Sequence, residues 1–293
     1  MARVTVLMPV YNVSLYIDES ISSILQQTFQ DFEFLIIDDG STDGTLEKIQ
    51  KYHDSRIKLI VHSTNMGLVE SLNQGISLST GDYIARMDGD DVSLPRRLER
   101  QVAFMDLNQH IGVCGGQAQF MGKNQITRAP LSHEEIRCFQ LFHCTFAHPS
   151  VIFRKSIIDT YGVRYFPYKH AEDYDIWNRL ADFTQLTNLP EVLIILRQHS
   201  NQVSVASKWV QDRNADAIRM YQLHQLDLYP TEEEYRLHLD FSDFKIRVHD
   251  FVHYSNCLAW AHKILEANYK KQKYDHETLN RVLSQFFSLS EVN

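Results

Sequence analysis

Asp88-Gly89-Asp90-Asp91 places three carboxylates within four consecutive residues. Like charges this close oppose one another's ionisation, and a folded chain tolerates them best where a cation or a basic group neutralises them. Carboxylate oxygens are hard ligands that select Mg²⁺, Mn²⁺ or Ca²⁺ over zinc, and Mg²⁺-type sites complete their coordination with substrate phosphates and water. The blander alternative is an acidic turn capping the helix expected to open near Pro95. A calcium-binding EF-hand is excluded by spacing. Counted from Asp88, Val92 and Ser93 stand where a ligand and an obligatory glycine belong; counted from Asp39, the twelfth position is Gln50.

Asp38-Asp39-Gly40-Ser41-Thr42-Asp43-Gly44 is the second cluster. A strand-end aspartate accepts hydrogen bonds from a ribose hydroxyl or a base N–H. Ser41, Thr42 and Asp43 are favoured helix caps, and at least one of them is expected to do only that. Glu172-Asp173 precedes an amphipathic stretch carrying Ile176, Trp177 and Leu180. It reads either as a surface cap or, facing a substrate hydroxyl, as a general base. His148-Pro149-Ser150 and Arg197-Gln198-His199 each border an expected strand, where a lone histidine is more often structural than functional.

The elements that must position these groups alternate. Val4–Met8 is a β-rich run. Ile17, Ile21, Ile24 and Leu25 fall on one helical face with Ser14 as its expected cap, and Phe32–Ile37 is a near-continuous apolar run, as in a strand buried on both faces. A helix carrying Leu46 and Ile49, a strand over Ile57–Val61 and a helix carrying Leu68, Leu72 and Ile76 follow. A strand over Tyr83–Met87, a helix carrying Leu98, Val102 and Met105, and a strand opening at Ile111–Cys114 complete the series. Such alternation predicts βαβ units with a mostly parallel sheet, whose post-strand loops gather along one edge and bind ligands there. Tyr11-Asn12, Asp38-Asp39, Asn65 and Asp88–Asp91 each follow a strand, so four loop tips aim polar groups at one crevice. Beyond residue 120 the pattern loosens. Ala147–Phe153 and Val192–Leu196 read as strands and Tyr174–Leu180 as a helix; from Ser204 onward nearly everything reads as helix, with a break at Pro230.

Composition narrows the function classes. In 293 residues, 29 lysines and arginines stand against 37 aspartates and glutamates, a formal net charge of −8 that argues against bulk attraction to nucleic acid. With 44 % hydrophobic residues a globular core is expected. No apolar run reaches the roughly 18 residues of a membrane span, and Pro9 cuts the short apolar N-terminal stretch, which does not read as a signal peptide. Cys114, Cys138, Cys144 and Cys257 are scattered, with no C-x-x-C pair. A reduced, cytoplasmic protein is the expectation.

In their order and separations, Val6-Leu7-Met8-Pro9-Val10-Tyr11-Asn12, Ile37–Thr45, Asn65-Met66-Gly67, Gly81-Asp82-Tyr83-Ile84, Asp88-Gly89-Asp90-Asp91 and Glu172-Asp173 resemble an inverting family-2 glycosyltransferase of the GT-A fold, across roughly residues 3–200. The resemblance implies an α/β fold: a Rossmann-like sheet in residues 1–120, an acceptor and base part in residues 121–203, and a helical region over residues 204–293. It places Pro9, Val10, Tyr11, Asn12, Asp38, Asp39, Asn65, Gly67, Arg86, Asp88 and Gly89 around the donor, with Asp39 on the nucleobase. Asp88 and Asp90 match the DXD motif that holds Mn²⁺ or Mg²⁺ on the donor diphosphate, and the run leaves open which of Asp88, Asp90 and Asp91 ligates. His199 resembles a histidine that in some GT-A enzymes touches the metal or the diphosphate. Asp173 matches the catalytic base, with Glu172 beside it.

The implied reaction moves a sugar from a nucleotide-diphosphate sugar, a UDP-sugar at family level, to a glycan or lipid-linked acceptor in surface polysaccharide or glycoconjugate synthesis. Lys270, Lys271 and Lys273 with Phe286-Phe287 offer a peripheral contact with the inner face of an anionic membrane, or else are solvated lysines and a core phenylalanine pair; the helical tail also offers a homodimer surface. A sugar nucleotidyltransferase would need a glycine-rich basic loop where Pro9-Val10-Tyr11-Asn12-Val13 stands. A non-catalytic nucleotide-sugar-binding or scaffold protein would lack the acidic cluster or the base.

Overall fold

A computed structural model describes residues 2–199, 208–247 and 249–290. β1 (Val4–Val10), β2 (Phe32–Asp38), β3 (Ile57–Val61) and β4 (Tyr83–Arg86) pair in parallel in the order β3-β2-β1-β4. The helices α1 (Ile17–Leu25), α2 (Thr45–Ile49) and α3 (Leu68–Leu78) connect them. The sheet continues through β7 (Ile152–Arg154), β6 (Ile111–Phe120), β8 (Gln185–Leu196) and β5 (Val92–Ser93). β7 runs antiparallel to β4 and β6, while β8 lies parallel to β6.

The continuous apolar strands follow from two cores. Val4, Val6, Met8 and Val10 face one, Leu7 the other; Phe32, Phe34 and Ile36 oppose Leu35 and Ile37 in the same way. The period of two puts alternate side chains on opposite faces, and both faces are covered. Glu33 is the exception at a strand position. It is buried, yet it accepts from Thr5 Oγ1 at 2.5 Å and the Thr80 N–H at 2.7 Å and pairs with Lys58. Burial works against its charge, but those partners win and hold its carboxyl near 2.

A third core lies on the far side of α5 (His133–Gln140). Cys138, Leu141 and Phe142 pack there with side chains of α8 (Lys208–Gln225), α9 (Glu232–Ser242), α10 (Phe251–Lys271) and α11 (His276–Ser290). Thr231 opens α9 with a reciprocal capping box to Glu234, directly after Pro230. Phe286 is fully buried here, its ring edge-on to Phe142 at 4.8 Å, and Lys271 pairs with Asp227. The phenylalanine pair is thus core material rather than a membrane-facing patch. The boundary expected at residues 203–204 lies outside the described residues.

Several local expectations are corrected. Tyr16 is the N-cap of α1, with no side-chain cap bond, and the Ser14 N–H instead donates to Asp43. Gly44, in the left-handed region, occupies the N-cap position of α2, while Asp43 just before it accepts the Thr45 N–H at 3.0 Å. Helix α4 (Arg97–Leu107) starts after Arg96, also without a side-chain cap, so the acidic turn at Asp88–Asp91 does not cap it. The strand expected over Ala147–Phe153 is a 3₁₀ turn at His148–Ser150 followed by β7. Pro149 has no N–H for a ladder, and Ser150 Oγ turns back to the Ala147 carbonyl at 2.7 Å.

Candidate active site

The loops after β1 and β2 are laced together. The Asp39 N–H donates to the Val10 carbonyl at 2.9 Å, the Thr42 N–H to Asn12 Oδ1 at 2.8 Å, and the Asn12 N–H to Ser41 Oγ at 3.0 Å. Asn12 holds φ 52°, a left-handed conformation that Asn tolerates better than most residues. Pro9 and Val10 are buried and Tyr11 is exposed at this loop's tip. Gly89 sits against the same strand end, where a Cβ would lie 2.7 Å from Val10 Cγ1.

Asp38 is fully buried; its Oδ2 accepts the Ser41 N–H and its Oδ1 has no partner. Asp39 takes the Met66 N–H on Oδ1 and the Gly67 N–H on Oδ2, at 2.9 and 2.8 Å. His62 Nδ1 lies 2.7 Å from Asp39 Oδ1 and its Nε2 lies 2.6 Å from Gln74 Oε1. An acceptor on each ring nitrogen favours the imidazolium, and the His62 pKa is raised chiefly by its bond to Asp39. Asp39 therefore shapes the exposed Asn65-Met66-Gly67 loop, a duty the sequence reading missed. Its one signal was His62 following β3.

Past this loop the chemical groups converge on a cleft of about 340 Å³. Arg86 ends β4 and is buried with its Nε unpartnered, paired to Asp88. One oxygen each of Asp88, Asp90 and Asp91 lies within 4.8 Å of the others. Burial pushes the Asp88 carboxyl up, opposed by Arg86 and reinforced by Asp90. Burial raises Asp91 well above the usual range, and the neighbouring carboxylates add to it.

The chain leaving β8 crosses this turn. The Arg197 N–H donates to Asp91 Oδ1 and its Nε to the Asp90 carbonyl, both at 2.9 Å, while its guanidinium lies over the Tyr16 ring. His199 Nε2 lies 2.9 Å from Asp90 Oδ2, and its ring stacks on Tyr16 at 4.7 Å. Sequence alone places Arg197 only at a strand end; its pairing with the acidic turn needs the β5–β8 contact.

Across the cleft, Glu172 and Asp173 open α7 (Glu172–Leu180), where the N-terminal dipole favours negative charge. Burial, then the Asp173 charge, pushes Glu172 up to about 7. Burial also raises Asp173, opposed by the Tyr174 N–H on Oδ1 at 2.8 Å and by the Cys144 thiol, 3.6 Å from Oδ2. His148 lines the same wall and is held neutral by burial and by Arg86; its Nε2 meets the Tyr165 hydroxyl at 2.9 Å. Leu68, next to the Asp39-bound Gly67, lines the cleft as well, whereas Asp38, Asp39 and Asn65 themselves are not among its walls.

A nucleotide-type sheet with an acidic turn at one strand end and a paired carboxylate facing it defines a glycosyltransferase of the GT-A class. Residues 5–174 match the Glycosyl transferase family 2 profile, and the chain belongs to that family. It is 34 % identical over 231 residues to a glycosyltransferase of Haemophilus influenzae, spanning 74 % of this chain and 72 % of that one. It is 29 % identical over 205 residues to the UDP-Glc:alpha-D-GlcNAc-diphosphoundecaprenol beta-1,3-glucosyltransferase WfgD of Escherichia coli, spanning 70 % and 79 % of the two chains. Among solved structures, S. aureus TarS in complex with UDP-GlcNAc shares the fold with TM-score 0.65 at 17 % identity, spanning 98 % of this chain and 92 % of that one. Among the described residues no helix is long and apolar enough to cross a membrane.

Proposed function

We propose that this glycosyltransferase moves a sugar, with inversion, from a UDP-sugar to a hydroxyl of a glycan or lipid-linked acceptor in polysaccharide assembly. The observation that carries the reading is that Asp88, Asp90 and Asp91 share one cleft with Glu172 and Asp173. The E. coli relative's name supports a uridine donor and a lipid-diphosphate acceptor, which would bring the protein to the inner face of a membrane.

The acidic turn fits a divalent cation, Mn²⁺ or Mg²⁺, because its donor set is all carboxylate oxygen and its mutual repulsion calls for positive charge. Asp88, Asp90 and Asp91 would hold it, with His199 adjusting Asp90. Once bound, such an ion supplies Lewis-acid neutralisation of charge on the diphosphate leaving group. Pro9 to Asn12, Asp38, Asp39, Asn65 and Gly67 frame the nucleoside side, and Arg86 and Gly89 the diphosphate side. Asp173 takes the proton of the acceptor hydroxyl as that oxygen attacks the anomeric carbon from the face opposite the diphosphate, so one displacement inverts configuration. A base raised above the ordinary carboxylate range is better matched to neutral pH.

The test is Asp173→Asn. It is expected to lower transfer by about 10²–10⁴-fold while donor affinity changes little. Loss of donor affinity as large as the loss of rate would overturn the assignment.

A further inference from the structure

A second cavity, of about 230 Å³, lies on the other side of α7. Asp175, Asn178, Arg179 and Asp182 line it at helical spacing, and Asp175 is rotated about 200° from Asp173, so α7 separates the two pockets. The opposite wall comes from α5 and α8, through Gln140, Tyr221 and Gln222, with Lys273 and Tyr274 closing the end.

The floor is polar and unsatisfied. Gln140 is 1 % exposed, and neither atom of its carboxamide has a hydrogen-bond partner. Its backbone carbonyl is already taken, by the Tyr174 hydroxyl and Gln222 Nε2 at 2.6 Å each. A carboxamide donates and accepts at once, as do sugar hydroxyls. At the mouth, Phe166 and Tyr221 are 48 % and 60 % exposed, large aromatic surfaces of the kind that pack on the C–H face of a pyranose.

Charge selects further. Arg179 is paired with Asp175 at 2.6 Å and Arg137 with Asp182 at 3.0 Å. The Lys273 ammonium forms no ion pair among the described residues, and burial lowers its pKa. The lining thus carries one uncompensated cation. The volume is below the roughly 300–1,000 Å³ of drug-sized ligand sites and suits one sugar ring.

We propose that this cavity is a second saccharide site, taking a single pyranose unit that bears an anionic group, with Gln140 on the ring hydroxyls, Tyr221 on the ring face and Lys273 on the anion. It rests on the function proposed above for the presence of glycan chains, and places a unit of such a chain behind the catalytic helix.

The probes are methyl β-glucuronide, glucose 6-phosphate, methyl β-glucoside and inorganic phosphate, followed by saturation-transfer NMR and titration of the full chain without nucleotide or metal. One or both acidic sugars are expected to bind, the glucuronide and phosphate arms telling carboxylate from phosphate, with the neutral glucoside at least about ten-fold weaker. Tyr221→Ala and Lys273→Gln, both away from the buried floor, should each weaken binding about ten-fold or more and leave donor turnover unchanged; Gln140→Leu should abolish binding. No binding by any sugar (a cavity holding water only), equal binding of the glucoside, inorganic phosphate matching the sugar phosphate, or binding untouched by all three substitutions would each overturn the proposal. Transfer without sugar binding defeats only this site; sugar binding without transfer defeats only the function proposed for the cleft.

Discussion

Glu172 and Asp90 sit in one cleft with different neighbours, and each can be read by its own experiment. Glu172 titrates near 7 in the folded chain, against about 4.3 for an unperturbed glutamate. Between those values the native state binds more protons than the unfolded one, so stability falls as pH rises through the window. Metal-free protein should show a urea midpoint that declines from pH 5 to pH 8, and Glu172→Gln should flatten that decline, by an amount on the order of a few kcal/mol at most. A decline of unchanged slope in the variant would place the titration elsewhere, Asp173 and Asp91 being raised as well. Asp90, by contrast, lies between His199 and two carboxylates. Asp90→Ala should remove any Mn²⁺-dependent component of donor binding in a titration run with and without the ion, and an unaltered Mn²⁺ response would reject the acidic turn as the cation site.

At the scale of elements, the loops after β2 and β3 meet backbone to backbone at Gly40. Gly40 holds φ +75°, and a Cβ there would stand 2.7 Å from the Thr64 carbonyl carbon and 2.9 Å from the Asn65 nitrogen. Both obstacles are backbone, so neither can swing aside as a side chain would. Gly40→Ala is therefore expected to cost about 1–3 kcal/mol and to push the Asn65 loop off Asp39. Calorimetry should show the lower Tm, and UDP affinity should fall with it; Gly122→Ala, also at positive φ but with nothing within 4 Å, separates backbone strain from the clash. The strands and helices around these loops were legible because period and turn chemistry are local. Val4–Met8 and Phe32–Ile37 declare themselves by near-continuous apolarity, broken only at Thr5 and Glu33, and the acidic turn by its composition. The duties of His62, Arg197 and Cys144 were not legible, because each acts through a partner 23 or more residues away: Asp39, Asp91 and Asp173. The 3₁₀ turn at His148 was missed for a related reason. An apolar run around one proline looks like a strand until Ser150 finds Ala147 and Gly116.

Over the whole molecule, the question is whether the C-terminal helices are an appendage or part of one folding unit. Their sequence shows amphipathic helices and no chemistry, which left that open. The third core answers it through α5: Cys138, Leu141 and Phe142, which precede Asp173 in the chain, are buried against Leu223, Phe241, Trp260 and Phe286. The same elements wall the cavity behind α7, where Gln222 of α8 meets the Gln140 carbonyl. Removing the ring of Phe286, fully buried among Phe139, Phe142 and Phe241, should cost about 3–5 kcal/mol, because lost transfer energy and the residual cavity add. If the core is shared, Phe286→Ala lowers the stability of the catalytic part as well. Urea unfolding followed by far-ultraviolet circular dichroism and by donor turnover should then give coincident transitions, both moved to lower urea in the variant. A variant whose turnover midpoint stays at the wild-type value while its helical signal melts early would show that the tail unfolds alone. The shared core through α5 would then be contradicted.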